Sequence, residues 1–215
     1  MSPTYQNGPS TQVQKEESLG PYMDLPFVTS EYFDRQELLF SQLPSSSIVI
    51  IPTNERKTRS NDVGYPFRPN SYMLYLCGWK EDEGVFVAHN RNGTIESKLF
   101  VPPRDTTKEI WEGIRMGIEG AESWPVHTTS SIEDFESEIT QIIGQFDNVY
   151  TILGISKELD KICNAVEGLS DPRTILDPMR RVKSQDEIKH MQEAATIAST
   201  AHKLAMKNAT PGMGE

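Results

Sequence analysis

The pattern of apolar and polar positions divides the chain into alternating helices and strands. Between residues 29 and 43, apolar side chains recur at spacings of three and four, which predicts an amphipathic helix. Thr29 or Ser30 is a suitable cap for its start. The β-branched run at residues 46–52 predicts a buried strand, and the apolar run YMLYLCG at residues 72–78 is predicted to be a second strand.

Two further strands are predicted at residues 84–90 and 95–103, and Asn92-Gly93 is a strong signal for a tight turn between them. These strands and the two before them are expected to form a β-meander. Residues 104–121 then predict a short helix followed by a turn punctuated by glycines.

Helices and strands alternate in the second half. The predictions there are a helix at 131–143 capped by Ser131, a strand at 148–154, a helix at 156–168 that ends at Gly168, and a short extended piece at 173–179. Hairpins early and strand–helix units late predict an α/β domain with a mixed β-sheet and flanking helices.

One long helix is predicted near the end of the chain. Ser184 and Glu187 have the spacing of a capping box, and Pro211-Gly212 is a stop signal. The helix runs for about 24 residues, or about 36 Å at the usual rise per residue. Because it has no obvious packing partner of its own, it is predicted to begin a second domain.

Composition and charge exclude several classes of protein. The 215 residues contain 31 acidic and 21 basic side chains, a formal net charge of -10, so nucleic acid and anionic membranes are not expected partners. No apolar run reaches the roughly 18 residues of a membrane span. The first twenty residues lack arginine and an apolar core, which predicts a disordered tail at residues 1–24 and a cytoplasmic protein.

Few side chains suggest chemistry on their own. Asp62, Glu81, Asp82 and Glu83 could in principle hold a divalent metal, but loop carboxylates of this kind usually serve only as solvated charges. The four histidines have no paired metal-ligand spacing, and no serine lies in a G-x-S-x-G frame. Cys77 and Cys163 are predicted to be buried, reduced thiols. We therefore assign no catalytic residue and no metal ligand to this chain.

Three stretches together resemble the N-terminal part of the Xaa-Pro aminopeptidases (aminopeptidase P), which belong to the creatinase and prolidase group. They are RSNDVGYPFRPNSYMLYLCGW (residues 59–79), LFVPPRDTTKEIWEGIRMGIEGA (99–121) and MRRVKSQDEIKHMQEAATIASTAHKLAM (179–206), followed by PGMGE. Their order and spacing agree with the family from about Phe27 to Glu215. Two departures, Pro69 and the stretch KEDEG, leave this frame intact.

The resemblance implies a fold and an activity. Residues 25–178 would form a ribonuclease-H-like N-terminal domain, and residues 179–215 the linker and first long helix of a "pita-bread" peptidase domain that this chain lacks. In the family, that domain holds two Mn²⁺ ions and hydrolyses the bond before a proline in second position of a peptide. The parent protein is therefore expected to be a homo-oligomeric (dimeric or tetrameric) metallopeptidase, and this chain to be non-catalytic.

The resemblance also singles out Trp111, in EIWEGIR. The matching tryptophan of the family reaches a neighbouring subunit's active site, and a large rigid indole suits packing against a proline ring. The alternative is that Trp111 is a core residue of a short helix.

Arg59 and Arg68 bracket an aromatic loop with Asp62 and Tyr65 between them. An ion pair with Asp62 could pin this loop, or Arg68 could face a cleft or a subunit interface.

Two other functions remain open at this point. Domains of creatinase-like shape also occur as stand-alone, non-catalytic protein-binding modules of the chaperone or scaffold type, and the acidic charge suits basic partners. The motif EIWEGIR argues against this reading, because a scaffold has no need of a peptidase feature. Nuclease activity would need a carboxylate cluster that the sequence does not show.

Overall fold

The computed structural model describes residues 25–164 and 166–214, so the predicted tail at residues 1–24 lies outside the described part. The helices are α1 (Thr29–Ser41), α2 (Ser71–Cys77), α3 (Thr106–Glu112), α4 (Gly117–Ala121), α5 (Phe135–Ile142), α6 (Lys157–Cys163), α7 (Arg173–Arg181) and α8 (Gln185–Asn208). The strands are β1 (Ser47–Pro52), β2 (Thr58–Ser60), β3 (Val63–Gly64), β4 (Val85–Arg91), β5 (Thr94–Val101), β6 (Thr128–Ser131), β7 (Asn148–Thr151) and β8 (Leu169–Ser170).

Six of the strands form one mixed sheet in the order β6-β5-β4-β1-β7-β8, which confirms the predicted fold class. β1, β4 and β5 pair antiparallel, whereas β7 and β8 continue the sheet parallel to β1. This is the ribonuclease-H-like arrangement that was expected, with β6 added parallel to β5 at one edge. β2 and β3 form a separate small hairpin.

Both faces of the sheet are covered, which explains why β1 is buried along its whole length. Val49 and Ile51 point into one apolar cluster with α1, α2 and α7. Ile48 and Ile50 point into a second cluster with α5 and α6. Because successive side chains of a strand face opposite sides, a strand between two layers is apolar at every position rather than at alternate ones.

The segment predicted as a strand at residues 72–78 is a helix, α2. The Asn70 side chain accepts a hydrogen bond from the Tyr72 N–H (2.8 Å) and so caps its start. Gly78 ends it in the left-handed conformation (φ 73°), donating its N–H to carbonyls of the last turn. Met73, Leu76 and Cys77 are the buried residues, at helical spacing. The composition of residues 72–78 fits either a strand or a helix. The capping residue Asn70 and the stop residue Gly78 determine that a helix forms.

Three further predictions about helices are wrong. Residues 173–181 form helix α7 rather than an extended piece, with Pro178 inside it and Leu176 and Met179 buried. The helix α6 ends at Cys163 and does not reach Gly168. The N-cap of α1 is Val28, which makes no side-chain capping bond. Helix α7 spans the predicted domain boundary after residue 178, and that boundary stays a prediction.

The turn and cysteine predictions are confirmed. Asn92 and Gly93 both have positive φ (54° and 84°) in the turn between β4 and β5. Cys77 and Cys163 are free and buried. Burial raises the pKa of the Cys77 thiol to about 12 and that of the Cys163 thiol to about 11, so neither is a reactive thiolate at neutral pH.

The long helix α8 has the predicted length of 24 residues and the predicted capping box of Ser184 and Glu187. None of its residues is buried. Within residues 25–164 and 166–214, no helix is long and apolar enough to cross a membrane.

Candidate functional site

The start of α3 is fixed by side-chain bonds to its own first turn. The Asp105 carboxylate accepts hydrogen bonds from the Thr107 N–H (2.9 Å) and the Lys108 N–H (3.3 Å), which caps the helix. Arg104 and Glu109 pair through two parallel bonds, Nε to Oε1 at 2.8 Å and Nη2 to Oε2 at 2.7 Å. The helix is therefore held at a defined angle although it has only seven residues.

Glu109 also ties α3 to the loop that follows. Its Oε1 accepts the Arg115 N–H at 3.1 Å. The hydrogen bonds from Arg104 and from the Arg115 backbone lower the pKa of Glu109 to about 2, because they stabilise the ionised carboxylate. Glu109 is therefore charged throughout the physiological pH range.

Asp82 joins this loop to the body of the domain. Its buried carboxylate accepts hydrogen bonds from Arg56 and Arg115, on opposite sides of it in sequence. The neighbouring Glu81 accepts the Met116 N–H at 3.0 Å, and burial raises the pKa of its carboxyl. These carboxylates, considered as possible metal ligands in the sequence, thus have structural partners.

A patch of apolar side chains projects from this fixed segment, and we name it the α3 patch. It consists of Ile110, Trp111 and Ile114, whose exposed fractions are 77%, 87% and 56%. The alternative that Trp111 is a core residue of a short helix is therefore wrong. A rigid, exposed tryptophan flanked by isoleucines is typical of a surface that contacts another protein.

The other four residues singled out from the sequence lie elsewhere. Arg59, Asp62 and Tyr65 are exposed and belong to the β2–β3 hairpin or its ends. Arg68 comes before α2, where its Nη2 donates to Ser71 Oγ at 3.1 Å. In the described part of the chain, no hydrogen bond, ion pair or ring contact joins Trp111 to any of them.

The expected ion pair of the loop is not formed. Among the residues that the structure describes, Asp62 pairs with neither Arg59 nor Arg68. Asp62 instead lies at the turn of the hairpin, and the Arg68 carbonyl accepts a hydrogen bond from the Asn54 side chain (2.9 Å). Tyr65 and Arg68 share the wall of a cleft of about 450 Å³. The loop is thus held by backbone and amide bonds rather than by charge.

Sequence reasoning missed a second group of side chains, centred on Arg35 and named here the Arg35 cluster. The buried guanidinium of Arg35 donates to Glu31 Oε1 (2.5 Å) and to the Tyr75 carbonyl (3.0 Å). Its central carbon lies 4.6 Å from the centre of the Phe27 ring and 4.4 Å from that of Tyr75. Glu187 of α8 lies 3.6 Å away.

The Arg35 cluster connects α8 to the domain through the first turns of that helix. Ser184 Oγ donates to Glu31 at 2.8 Å, and His190 Nε2 lies 2.8 Å from the Pro26 carbonyl. The His190 ring also packs edge-on against Phe27, with the ring centres 5.5 Å apart. The signal in the sequence that could have revealed this cluster is the position of two polar residues, Arg35 and Gln36, on the otherwise apolar face of α1.

The fold is that of an α/β domain with a mixed sheet, and its α3 patch leaves one tryptophan and two isoleucines exposed. The comparisons with known proteins define it further. The family described as "Aminopeptidase P, N-terminal domain" matches residues 32–150, more than half of the chain. The chain belongs to this family.

Relatives agree with this assignment. The chain is 30% identical to the Xaa-Pro aminopeptidase of Haemophilus influenzae and 32% identical to that of Escherichia coli. Each match covers 86% of this chain but only 44% and 46% of the relative. Intermediate cleaving peptidase 55 of Saccharomyces cerevisiae is 27% identical, over 81% of this chain and 39% of its own. The chain therefore spans less than half the length of these relatives.

Solved structures show the same relation. Aminopeptidase P from Escherichia coli superposes with a TM-score of 0.82 at 31% identity, over 87% of this chain and 46% of that one. Proline aminopeptidase P II from Yersinia pestis superposes with a TM-score of 0.81 at 30% identity, over 87% and 47%. The relatives named as Xaa-Pro aminopeptidases are hydrolases, and this chain corresponds to their N-terminal part.

Proposed function

We propose that this chain acts as the N-terminal, non-catalytic part of a Mn-dependent Xaa-Pro aminopeptidase, which removes the N-terminal residue from peptides with proline in second position. Family membership supports the proposal, as do the names of the relatives that match 86% of the chain. The described residues do not fit the metal site themselves, since no group of three or more His, Cys, Asp or Glu among them could hold an ion. We therefore assign no catalytic step to them.

Within that enzyme, the α3 patch would support assembly of the oligomer and shape access to the active site. The observation that carries this proposal is the exposure of Trp111 on a helix held by Asp105 and by the Arg104–Glu109 pair. A helix fixed in this way loses little conformational entropy when a partner covers it, so more of the apolar contact contributes to binding. The dimeric or tetrameric state and the cytoplasmic location belong to the same proposal.

A chimera tests the proposal. This chain would replace the corresponding N-terminal part of the Escherichia coli Xaa-Pro aminopeptidase. With added Mn²⁺, the chimera is expected to cleave Ala-Pro-Ala but not Ala-Ala-Ala, and the 215-residue chain alone is expected to cleave neither. Hydrolysis of Ala-Pro-Ala by the 215-residue chain would contradict a non-catalytic role.

Variants of Trp111 test the role of the patch separately. In the chimera, Trp111→Ala is expected to lower the oligomer mass measured by sedimentation, or to raise KM, because it removes the largest exposed apolar side chain of the patch. Trp111→Phe is the control and is expected to retain most of both properties. If Trp111→Ala changed neither mass nor KM, the patch would have neither role, although the family assignment would stand.

The alternative function, a stand-alone protein-binding module of the chaperone or scaffold type, predicts a different outcome. The net charge of -10 would then serve to bind basic proteins. Under this alternative the chimera would be inactive, whereas the chain alone would bind basic proteins in a salt-sensitive manner. An active chimera excludes this alternative as the main function.

A further inference from the structure

A cleft distant in sequence from the α3 patch lies beyond the carboxyl ends of β1 and β7, and we name it the acidic cleft. Its volume is about 500 Å³, and its walls come from the end of β1, the start of β4 and the starts of α5 and α6. β1 and β7 are parallel neighbours in the sheet. Open α/β sheets commonly bind ligands in the crevice outside the carboxyl ends of such strands.

The charge of the cleft is strongly negative. Its lining includes five glutamates, Glu55, Glu83, Glu133, Glu136 and Glu158. In the part of the chain that the structure describes, none of these five forms an ion pair. The remaining charged residues of the lining, Arg56 and Asp82, are paired with each other, and Asp82 also pairs with Arg115. Uncompensated carboxylates around a concave surface focus a negative potential, which favours a cationic ligand.

The floor of the cleft is apolar. Pro52, Val85, Ile132 and Phe135 contribute to the lining. A compact inorganic ion gains nothing from such a surface, whereas the methylene stem of a lysine or arginine side chain packs well on it. The acidic rim and the apolar floor together therefore match a cation carried on an aliphatic stem.

Thr53 provides an independent indication of a ligand. It lines the same cleft, is only 5% exposed, and its hydroxyl has no hydrogen-bond partner among the described residues. Its backbone N–H is already bonded to the Gly84 carbonyl at 2.8 Å. Buried hydroxyls are normally paired, so an unpaired one in the wall of a cleft is a polar group that still needs a partner.

A metal ion fits these residues less well. No group of three or more His, Cys, Asp or Glu within residues 25–164 and 166–214 is close enough to hold one. The carboxylates are thus spread around the cleft rather than gathered at one point. We propose that the acidic cleft binds a peptide segment through a lysine or arginine side chain, whose stem lies on the apolar floor and whose charge meets the glutamates. This inference does not depend on the peptidase function.

Fluorescence anisotropy with a labelled peptide tests the proposal on the 215-residue chain. The probe is Ala-Leu-Lys-Lys-Leu-Ala, and its control is the same peptide with both lysines acetylated, which retains the stems but removes the charges. The lysine peptide is expected to bind, and to bind more weakly as NaCl rises from 50 to 500 mM. Equal binding of the acetylated peptide, or no binding of the lysine peptide at 1 mM, would overturn the proposal.

Paired variants separate the cleft from the general charge of the protein. The double variant Glu133→Gln/Glu136→Gln is expected to weaken binding roughly five- to thirtyfold, as for the loss of two partly exposed charge contacts. The control Glu119→Gln/Glu122→Gln removes two exposed carboxylates at the same spacing on and after α4, and is expected to leave the affinity unchanged. Equal weakening by both variants would show that net charge alone attracts the peptide.

Two further measurements complete the test. Thr53→Val removes the unpaired hydroxyl without changing shape, so it is expected to weaken peptide binding while leaving the melting temperature unchanged or higher. An unchanged affinity would show that the hydroxyl is not a ligand contact. Mg²⁺ or Ca²⁺ at 1 mM is expected to compete weakly. Complete displacement of the peptide by either ion would indicate a metal site instead.

Discussion

Gly117 offers a sharp test of how the α3 patch is held. Its φ is 67°, and a Cβ built on it would lie 2.4 Å from Arg104 Cγ and 3.1 Å from Arg104 Cδ. An alanine would therefore have to adopt the left-handed backbone conformation, which costs roughly 1–2 kcal/mol for a residue with a side chain. It would also push Arg104 out of its paired bonds with Glu109.

The backbone strain alone sets a lower bound on the loss, and displacing the charge-assisted pair adds to it. We therefore expect Gly117→Ala to lower the free energy of unfolding by at least about 1–2 kcal/mol. With an m-value of about 2.5 kcal/mol per molar urea, the unfolding midpoint should fall by roughly 0.5 M or more. The fluorescence of the buried Trp79 and Trp124 reports the transition.

Gly144 supplies the matched control. Its φ is not positive, and a Cβ there would meet no atom within 4 Å. Gly144→Ala should be neutral, or stabilising by up to about 1 kcal/mol through the unfolded state. The double variant Gly117→Ala/Arg104→Ala should recover the part of the lost unfolding free energy that comes from the clash between the new Cβ and the Arg104 side chain. If Gly117→Ala were as harmless as Gly144→Ala, the packing argument would be refuted.

Three other predictions follow from single contacts. The pKa of Glu109 is lowered to about 2 from an ordinary 4.5. The stabilising contribution of Glu109 is therefore complete above pH 4.5 and is lost as the pH falls towards 2. Over that interval, the urea midpoint of Glu109→Gln should change less with pH than the midpoint of the unmodified chain. Asn70→Ala removes the cap of α2 and should cost about 1 kcal/mol in the same urea assay, whereas an undiminished midpoint would show that the cap is dispensable. Both cysteines should resist a thiol reagent at pH 8 in the folded chain and react once it is unfolded; rapid reaction of the folded chain would contradict their burial.

Much of the sheet could be predicted because its strands are β-branched runs bounded by turn residues. The secondary-structure predictions are wrong where the composition of a segment and the residues at its two ends favour different structures. The run of α2 reads equally well as a strand, and the deciding residues are Asn70 before it and Gly78 after it. In α7, which was predicted to be extended, Pro178 lies inside the helix, and burial of Leu176 and Met179 in the core outweighs the hydrogen bond that a proline cannot donate.

The candidate site was less predictable than the fold, for two physical reasons. Isoleucine and tryptophan on a short helix suit a core as well as a surface, so the sequence cannot show that Trp111 is exposed; it was singled out only by a family resemblance. The surroundings of Arg35 come from three helices that are distant in sequence. Thr53 likewise becomes conspicuous only once its neighbours are in place and its hydroxyl is found unpaired.

The way α8 is attached has a mechanical consequence. The helix is about 36 Å long, and the side-chain bonds that fix it to the domain lie at its beginning, at Ser184, Glu187 and His190. A helix attached in this way would act as a lever. A tilt of about 10° at the Arg35 cluster would displace the far end by roughly 6 Å, given that length. Small rearrangements around a single buried guanidinium would then be amplified into movements larger than a side chain.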